Sequence, residues 1–458
     1  MDKLKIIDGC TNFHFVGIGG INMSALAEVL FREGYTVGGS DKSDSPAVDK
    51  LRGLGLNVAI GHCADNLSKA AEVLVYNAAV PTDNPEVAEA RNRGLKLLDR
   101  AQLLGLLMQN YKYPICVAGT HGKTTTTSML AEIFTAADAD PTVMSGGILP
   151  SMGGAMRLGG RKFFIAEACE YHDSFLHFSP YVGIILNLEM DHGDYFGGEA
   201  GLRASFRNFA KRIPAHGLLI INNEIAGLDE IVGGLDCEII TFGEGGDIFA
   251  SNAEFGVDGR SVCQIEGVGQ LSLGVPGAHN ISNALSAIAV ARHFGLPFVK
   301  AAQALSGFTG ALRRFQHKGQ FNGAIIIDDY AHHPTEVSAT IQAARNMAHN
   351  RLWIIFQPHT HERTAKFLYD FANALHAADN VIITDIYRPA GREQEQASVH
   401  AKDLVAKIGS NCHYAPNFQW AADFVRNNLV KGDICITMGA GDITRIGDMI
   451  LLDSCNFV

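Results

Sequence analysis

The run Val117-Ala-Gly-Thr-His-Gly-Lys-Thr-Thr-Thr-Thr127 limits this chain more than any other stretch. An apolar run, Tyr113–Ala118, precedes it and reads as a short buried strand. Helical spacing follows it over Ser128–Phe134. Strand, glycine loop, lysine, hydroxyl and helix in that order build a phosphate cradle. The backbone N–H groups and the helix N-terminus face an anion there. Lys123 adds a positive charge, and Thr124 offers an oxygen to Mg²⁺. The ordinary P-loop has glycine five residues before its final glycine, where this chain has Val117. The loop is thus a variant. A nucleoside triphosphate site is expected, with a purely structural glycine turn as the alternative.

The rest of the chain repeats the strand–helix alternation of a parallel sheet. Early strands are expected at Asn12–Val16, Tyr35–Gly39, Val58–Ile60, Val73–Tyr76 and Lys96–Leu98, with a helix over Ile21–Arg32. A second series reads Tyr113–Ala118, Phe163–Glu167, Gly183–Asn187 and Gly217–Asn222. A third reads Ala324–Ile327, Leu352–Phe356, Val381–Thr384 and Ile434–Thr437. Most are short continuous apolar runs closed by a polar residue, as in strands buried on both faces. Between Cys237 and Val275 the pattern changes to alternating strands with glycine turns, expected as a small antiparallel insert. With 458 residues, three α/β domains are expected: 1–109, 110–317 and 318–458.

Composition excludes several classes. A formal net charge of −11 argues against a nucleic-acid surface, and charged residues at 19% argue against disorder. No apolar run approaches the roughly 18 residues of a membrane helix. The nine cysteines form no C-x-x-C pair, and the N-terminus lacks signal-peptide character, so a cytoplasmic protein without membrane insertion is expected.

Other motifs carry chemistry. Gly17, Gly19 and Gly20 form a tight turn after the first strand, but Asn22 stands where a dinucleotide fingerprint has its third glycine. Asp41, at the end of the second strand, can meet a ribose hydroxyl. A nucleoside diphosphate, a nicotinamide cofactor and a structural turn all remain open there. Glu167 and His192 follow strands and could join Thr124 at Mg²⁺, although Glu170, His172 and Asp173 crowd the same loop. Asn280 and Asn283 lie three apart on one helix face, suited to reading a base edge or, for Asn280, to capping. Two histidine clusters, Asp328–Glu336 and Phe356–Thr364, raise a zinc hydrolase as a rival, which would leave both glycine loops unexplained.

Taken together, Gly17-Ile-Gly-Gly-Ile-Asn-Met-Ser24, Gly119–Thr126, Gly146–Leu149, Glu167-Ala-Cys-Glu170, Asp191-His192, Pro276–Asn280, Arg313-Arg-Phe315, Asp328–Glu336, Phe356–His359 with Arg363, and Met438–Asp442 resemble the Mur ligase family. They occur in the family's order and span nearly the whole chain. Asn22, Cys169 and His361-Glu362 depart from the usual pattern, and no lysine lies between His192 and Lys211 to supply the carbamylated lysine of several related ligases.

The resemblance implies a Rossmann-like UDP-binding domain, a P-loop ATPase-type central domain with the small insert, and a Rossmann-like C-terminal domain that closes on its ligands. It implies an ATP- and Mg²⁺-dependent ligase joining L-alanine to the lactyl carboxylate of UDP-N-acetylmuramate through an acyl phosphate. Ligation of a recycled tripeptide is the alternative within the family, and a nicotinamide-dependent oxidoreductase the alternative outside it. ATP would be held by Gly119, Thr120, His121, Gly122, Lys123, Thr124, Thr125, Asn280, Asn283, Arg314 and Asp329. The metal would be held by Thr124, Glu167 and His192, UDP by Gly17, Gly19, Gly20 and Asp41, and the two substrate carboxylates by His359 and Arg363. A monomer or weak homodimer is expected.

Overall fold

The computed structural model describes residues 6–77, 80–81, 83–191, 193–389 and 399–452. The expected metal ligand His192 lies outside them. The chain divides into two compact units: 1–249 with 283–304, and 250–282 with 305–458.

The first unit holds two sheets. In the first, β1 (Asn12–Val16), β2 (Thr36–Asp41), β3 (Asn57–Ile60), β4 (Val73–Tyr76) and β5 (Lys96–Asp99) are all parallel in the order β3-β2-β1-β4-β5. The order reverses beside β1, whose C-terminal end leads into Gly17–Gly20 and the helix Ile21–Arg32. Ligands of open parallel sheets bind at such ends.

The second sheet contains β6 (Tyr113–Ala118), β7 (Thr142–Leu149), β8 (Gly154–Arg157), β9 (Phe163–Glu167), β10 (Val182–Ile185), β11 (Leu218–Asn222) and β12 (Glu238–Phe242), in the order β12-β11-β10-β6-β9-β7-β8. Only β7 and β8 pair antiparallel. The central strand β6 has both faces covered, and Ile115–Ala118 are fully buried, as its apolar run requires. Its C-terminal end delivers the chain to the glycine loop and the helix Lys123–Ala136.

Two expectations change here. The strand pattern omits the pair β7 and β8, because Ser145-Gly-Gly147 interrupts the run. The segment Glu238–Phe242 belongs to no antiparallel insert. It pairs parallel with β11 as an edge strand, running from exposed Glu238 through half-buried residues to buried Phe242.

The second unit holds the antiparallel sheet β13 (Ala250–Phe255), β14 (Ser261–Ile265) and β15 (Gly269–Leu273). It also holds a sheet of β16 (Gln316–Phe321), β17 (Ala324–Asp329), β18 (Leu352–Phe356), β19 (Asn380–Ile383), β20 (Cys412–Tyr414) and β21 (Ile434–Met438), ordered β16-β17-β21-β18-β19-β20 with β16 antiparallel. Alternate residues of β18 feed opposite cores: Leu352, Ile354 and Phe356 on one face, Trp353 and Ile355 on the other. The turn between β13 and β14 is tied to the helical layer of the C-terminal sheet. Ala348 N donates to Val257 O at 2.9 Å, and Met347 lies against Gly259.

Candidate active site

The loop Gly119–Gly122 is clamped from the segment after β10. Asn187 Oδ1 accepts from His121 N at 2.8 Å, and Asn187 Nδ2 donates to His121 O at 3.0 Å. Thr120 Oγ1 donates to Glu189 O and accepts from Glu189 N, each at 3.0 Å. The His121 ring contacts the Glu189 carboxylate at 2.9 Å. Sequence reasoning misses Asn187. Its role depends on two bonds to a loop far away in the chain, and no local pattern announces that.

Gly122 is the N-cap of the helix Lys123–Ala136, with φ of 86° and no side chain capping the helix. A Cβ there would lie 2.6 Å from Asn283 Oδ1. The position therefore requires glycine for its backbone conformation and for its closeness to Asn283. The first-turn N–H groups of Lys123, Thr124 and Thr125 lie in this uncapped turn, the arrangement that receives an anion.

Lys123 Nζ donates to Gly119 O, to Thr120 O at 3.0 Å and to Glu170 Oε2 at 3.0 Å. Burial alone would lower the lysine pKa, but Glu170, together with nearby Cys169 and Glu167, outweighs it and holds the ammonium above its ordinary value. Thr124 Oγ1 donates to Glu167 Oε2 at 3.1 Å, Ser145 Oγ donates to Glu167 Oε1 at 3.3 Å, and Gly146 N donates to the same oxygen. Glu167, distant in the sequence, is thus brought to the adjacent pair Lys123 and Thr124, with Glu170 as a buried counter-charge. The hard oxygen donors of Thr124 and Glu167 fit Mg²⁺.

In the first sheet, Gly17 N and Ile18 N donate to Ser40 O at 2.8 and 3.0 Å. Gly20 is the N-cap of the helix Ile21–Arg32 and has no side-chain cap. Asp41 lies beside this loop, as expected, and its carboxylate accepts from Gly19 N at 2.7 Å.

In the second unit, Asn280 is buried and donates to Pro276 O at 2.7 Å. Asn283, also buried, belongs to the same helix, Ala278–His293, and lies in the first unit. Asp329 ends β17 and accepts from Phe315 N at 2.7 Å, Ala331 N at 2.8 Å and Thr340 Oγ1 at 3.3 Å. Burial pushes its pKa up to about 6, against the nearby positive charge of Arg314. Arg313 and Arg314 both lie over the Tyr330 ring, at 4.9 and 5.1 Å from its centre.

His359 follows β18, with its ring stacked on Tyr387 and its centroid 5.7 Å from that of His332. Arg363 Nη1 donates to His359 Nδ1 at 3.3 Å, so these two expected residues do meet. The residue between them in the fold, Thr360, has φ of 62° and ψ of 146°. That conformation is costly for a β-branched residue, on the order of 1–3 kcal/mol. Four bonds hold it: Thr360 N to Tyr387 O, Arg363 N to Thr360 Oγ1, and Thr364 N and Oγ1 to Thr360 O. The strain aims His359 and Arg363 from the two sides of one turn. Nothing in the residue type marks it in the sequence.

Three family models match successive parts of the chain: Mur ligase family, catalytic domain, over 12–112; Mur ligase middle domain over 117–291; and Mur ligase, glutamate ligase domain, over 313–441. The chain is 47% identical to a UDP-N-acetylmuramate–L-alanine ligase of Agathobacter rectalis, covering 96% of this chain and 97% of that one. It is 44% identical to the protein of that name from Clostridium novyi, covering 97% and 98%. Its structure is similar to the crystal structure of UDP-N-acetylmuramate-alanine ligase from Thermotoga maritima, with a TM-score of 0.83, 29% identity, and coverage of 97% and 99%. A murein peptide ligase from Psychrobacter arcticus gives a TM-score of 0.73 at 25% identity, covering 98% and 99%. Matched along nearly its whole length and carrying the clamped glycine loop with its lysine, this three-domain α/β chain belongs to the Mur ligase family.

Proposed function

We propose that the chain is an ATP-dependent ligase that joins L-alanine to the lactyl carboxylate of UDP-N-acetylmuramate, a step of peptidoglycan precursor synthesis in the cytoplasm. The observation that carries this reading is the paired charge at the glycine loop. Lys123 is held ionised by Glu170, beside a hydroxyl and a carboxylate on Thr124 and Glu167. The Rossmann-like and P-loop-type sub-folds, the domain limits 1–109, 110–317 and 318–458, and a monomeric or weakly dimeric state belong to the same proposal.

A carboxylate is a poor acyl donor because its oxygen is a poor leaving group. The lactyl carboxylate attacks the γ-phosphorus of ATP, breaking the bond to ADP and giving an acyl phosphate. The free amine of L-alanine then attacks the acyl carbon, and the tetrahedral intermediate expels phosphate. Catalysis rests on charge neutralisation and alignment. The ammonium of Lys123 and the N–H groups of Gly122, Lys123, Thr124 and Thr125, on a loop whose Thr120 and His121 are fixed by their clamp, receive the β- and γ-phosphates. Thr124 and Glu167, with His192 by family resemblance, hold Mg²⁺, which supplies further neutralisation of the phosphate oxygens. Asn280 and Asn283 hold adenine, and Arg314 and Asp329 take part in holding ATP. His359 and Arg363 orient the carboxylates. Gly17, Gly19, Gly20 and Asp41 grip UDP.

The test is phosphate release from the purified chain, with mass analysis of the product. Release that needs UDP-N-acetylmuramate, L-alanine and Mg²⁺ together supports the proposal. Release without the sugar nucleotide overturns it, and preferential coupling of an offered tripeptide replaces it with the peptide-recycling reading.

A further inference from the structure

The segment from Glu170 to Phe175 joins two buried side chains by a sharp reversal. Glu170, at its start, is the counter-charge of Lys123. Phe175, at its end, is fully buried. Its ring stacks on Phe209 with centroids 4.9 Å apart and meets Phe206 edge-on at 5.4 Å, both on the helix Glu199–Ala210. Two backbone bonds close the reversal: Asp173 N donates to Glu170 O at 2.9 Å, and Phe175 N donates to Cys169 O at 3.0 Å.

The reversal puts two successive residues other than glycine in the left-handed region. His172 has φ of 53° and ψ of 33°, and Asp173 has φ of 52° and ψ of 26°. Such a backbone is uncommon for L-residues and persists only where neighbours over-determine it. The Asp173 carboxylate supplies that determination. Its Oδ2 accepts from Tyr195 Oη at 2.7 Å, and its Oδ1 accepts from Ser205 Oγ.

The two hydroxyls come from different elements. Ser205 is buried on the helix that carries Phe206 and Phe209, so carboxylate and ring dock the turn on one surface. Tyr195 belongs to the short helix Gly193–Phe196, which begins directly after His192. The Tyr195 ring also lies 4.8 Å from the His172 ring, so both left-handed residues rest against it. One carboxylate therefore joins the turn that presents Glu170 to the segment that follows His192.

We propose that Asp173 is a positioning residue for the phosphate site. By holding the left-handed pair in place it keeps the Glu170 carboxylate on Lys123. A loosened turn lets Glu170 leave the lysine, and the ammonium loses its fixed place beside the glycine loop. The inference rests on the reading that this loop and Lys123 receive the phosphates of ATP.

The experiment is calorimetric binding of ATP with Mg²⁺ to the full chain, without the other substrates so that no turnover occurs. Asp173→Ala weakens ATP binding about tenfold and leaves KM for UDP-N-acetylmuramate unchanged. In a Glu170→Gln chain the same change has less than about a twofold effect, because the side chain it serves is already altered. Asp173→Asn keeps an acceptor for Tyr195 and offers a donor to Ser205, and it restores affinity to within about threefold. Asp173→Gly takes the left-handed backbone freely but loses both side-chain bonds, and it behaves as Asp173→Ala. If Asp173→Ala fails to fold, Tyr195→Phe tests the same link by removing one hydroxyl, and it weakens ATP binding about threefold.

Unaltered ATP affinity in Asp173→Ala, Asp173→Gly or Tyr195→Phe overturns the inference, as do losses that multiply in full in the Glu170→Gln chain. Lys123→Ala tests the underlying reading separately. It weakens ATP binding more than any of these variants, and an unchanged affinity there overturns the ATP reading itself.

Discussion

Lys123 and Glu170 form a pair whose two halves do different work. In the proposed reaction the lysine serves the phosphates, whereas Glu170, 3% exposed, pairs with the lysine. Removing one partner of a buried pair leaves the other uncompensated, at a cost of roughly 3–5 kcal/mol. Lys123→Ala is therefore expected to lower kcat/KM by about 10³-fold and also to lower the unfolding free energy. Adding Glu170→Gln restores most of the stability and none of the activity. Denaturant titration and phosphate release on the two variants check this. Equal stability of the single and double variants would show that Glu170 is not the counter-charge of Lys123.

At the scale of elements, the loop and the helix Lys123–Ala136 work only if Gly122 keeps its left-handed backbone. Gly122→Ala is expected to destabilise the chain by about 1–2 kcal/mol and to raise KM for ATP about tenfold or more, because the new methyl must displace Asn283. Steady-state kinetics at varied ATP decide it. An unchanged KM would separate the loop's shape from ATP binding.

Much of this element was legible in the sequence. A strand, a glycine turn and a helix are local, and β6, β9, β11 and β18 each read as an apolar run because both sheet faces are covered. The pair β7 and β8 was not legible, since Gly146 sits mid-strand to let the Glu167 carboxylate approach its N–H. Nor was the burial of Glu86. Nothing local in Asn84-Pro-Glu86 marks a buried acid, and only folding brings His14, Ser40 and His62 to it.

For the molecule as a whole, the charge that folding hides in the second unit sets a pH dependence. Asp329 has its folded pKa raised from 3.8 to about 6 by burial. A raised value favours the folded state at low pH, and that contribution is lost as pH rises from about 4 through 6. Roughly two units correspond to about 3 kcal/mol at most, from about 1.4 kcal/mol per unit. Asp329→Asn is expected to gain stability relative to the unmodified chain between pH 4 and pH 7, as read by urea unfolding at each pH. A constant difference would show that the Asp329 carboxyl titrates alike in both states. The central claim concerns bond making: the sugar-borne carboxylate takes a phosphoryl group before the amine arrives. Its most direct measurement starts from UDP-N-acetylmuramate carrying ¹⁸O in the lactyl carboxylate and weighs the released phosphate. The account predicts one carboxylate ¹⁸O in each phosphate released, and unlabelled phosphate accompanying product would contradict it.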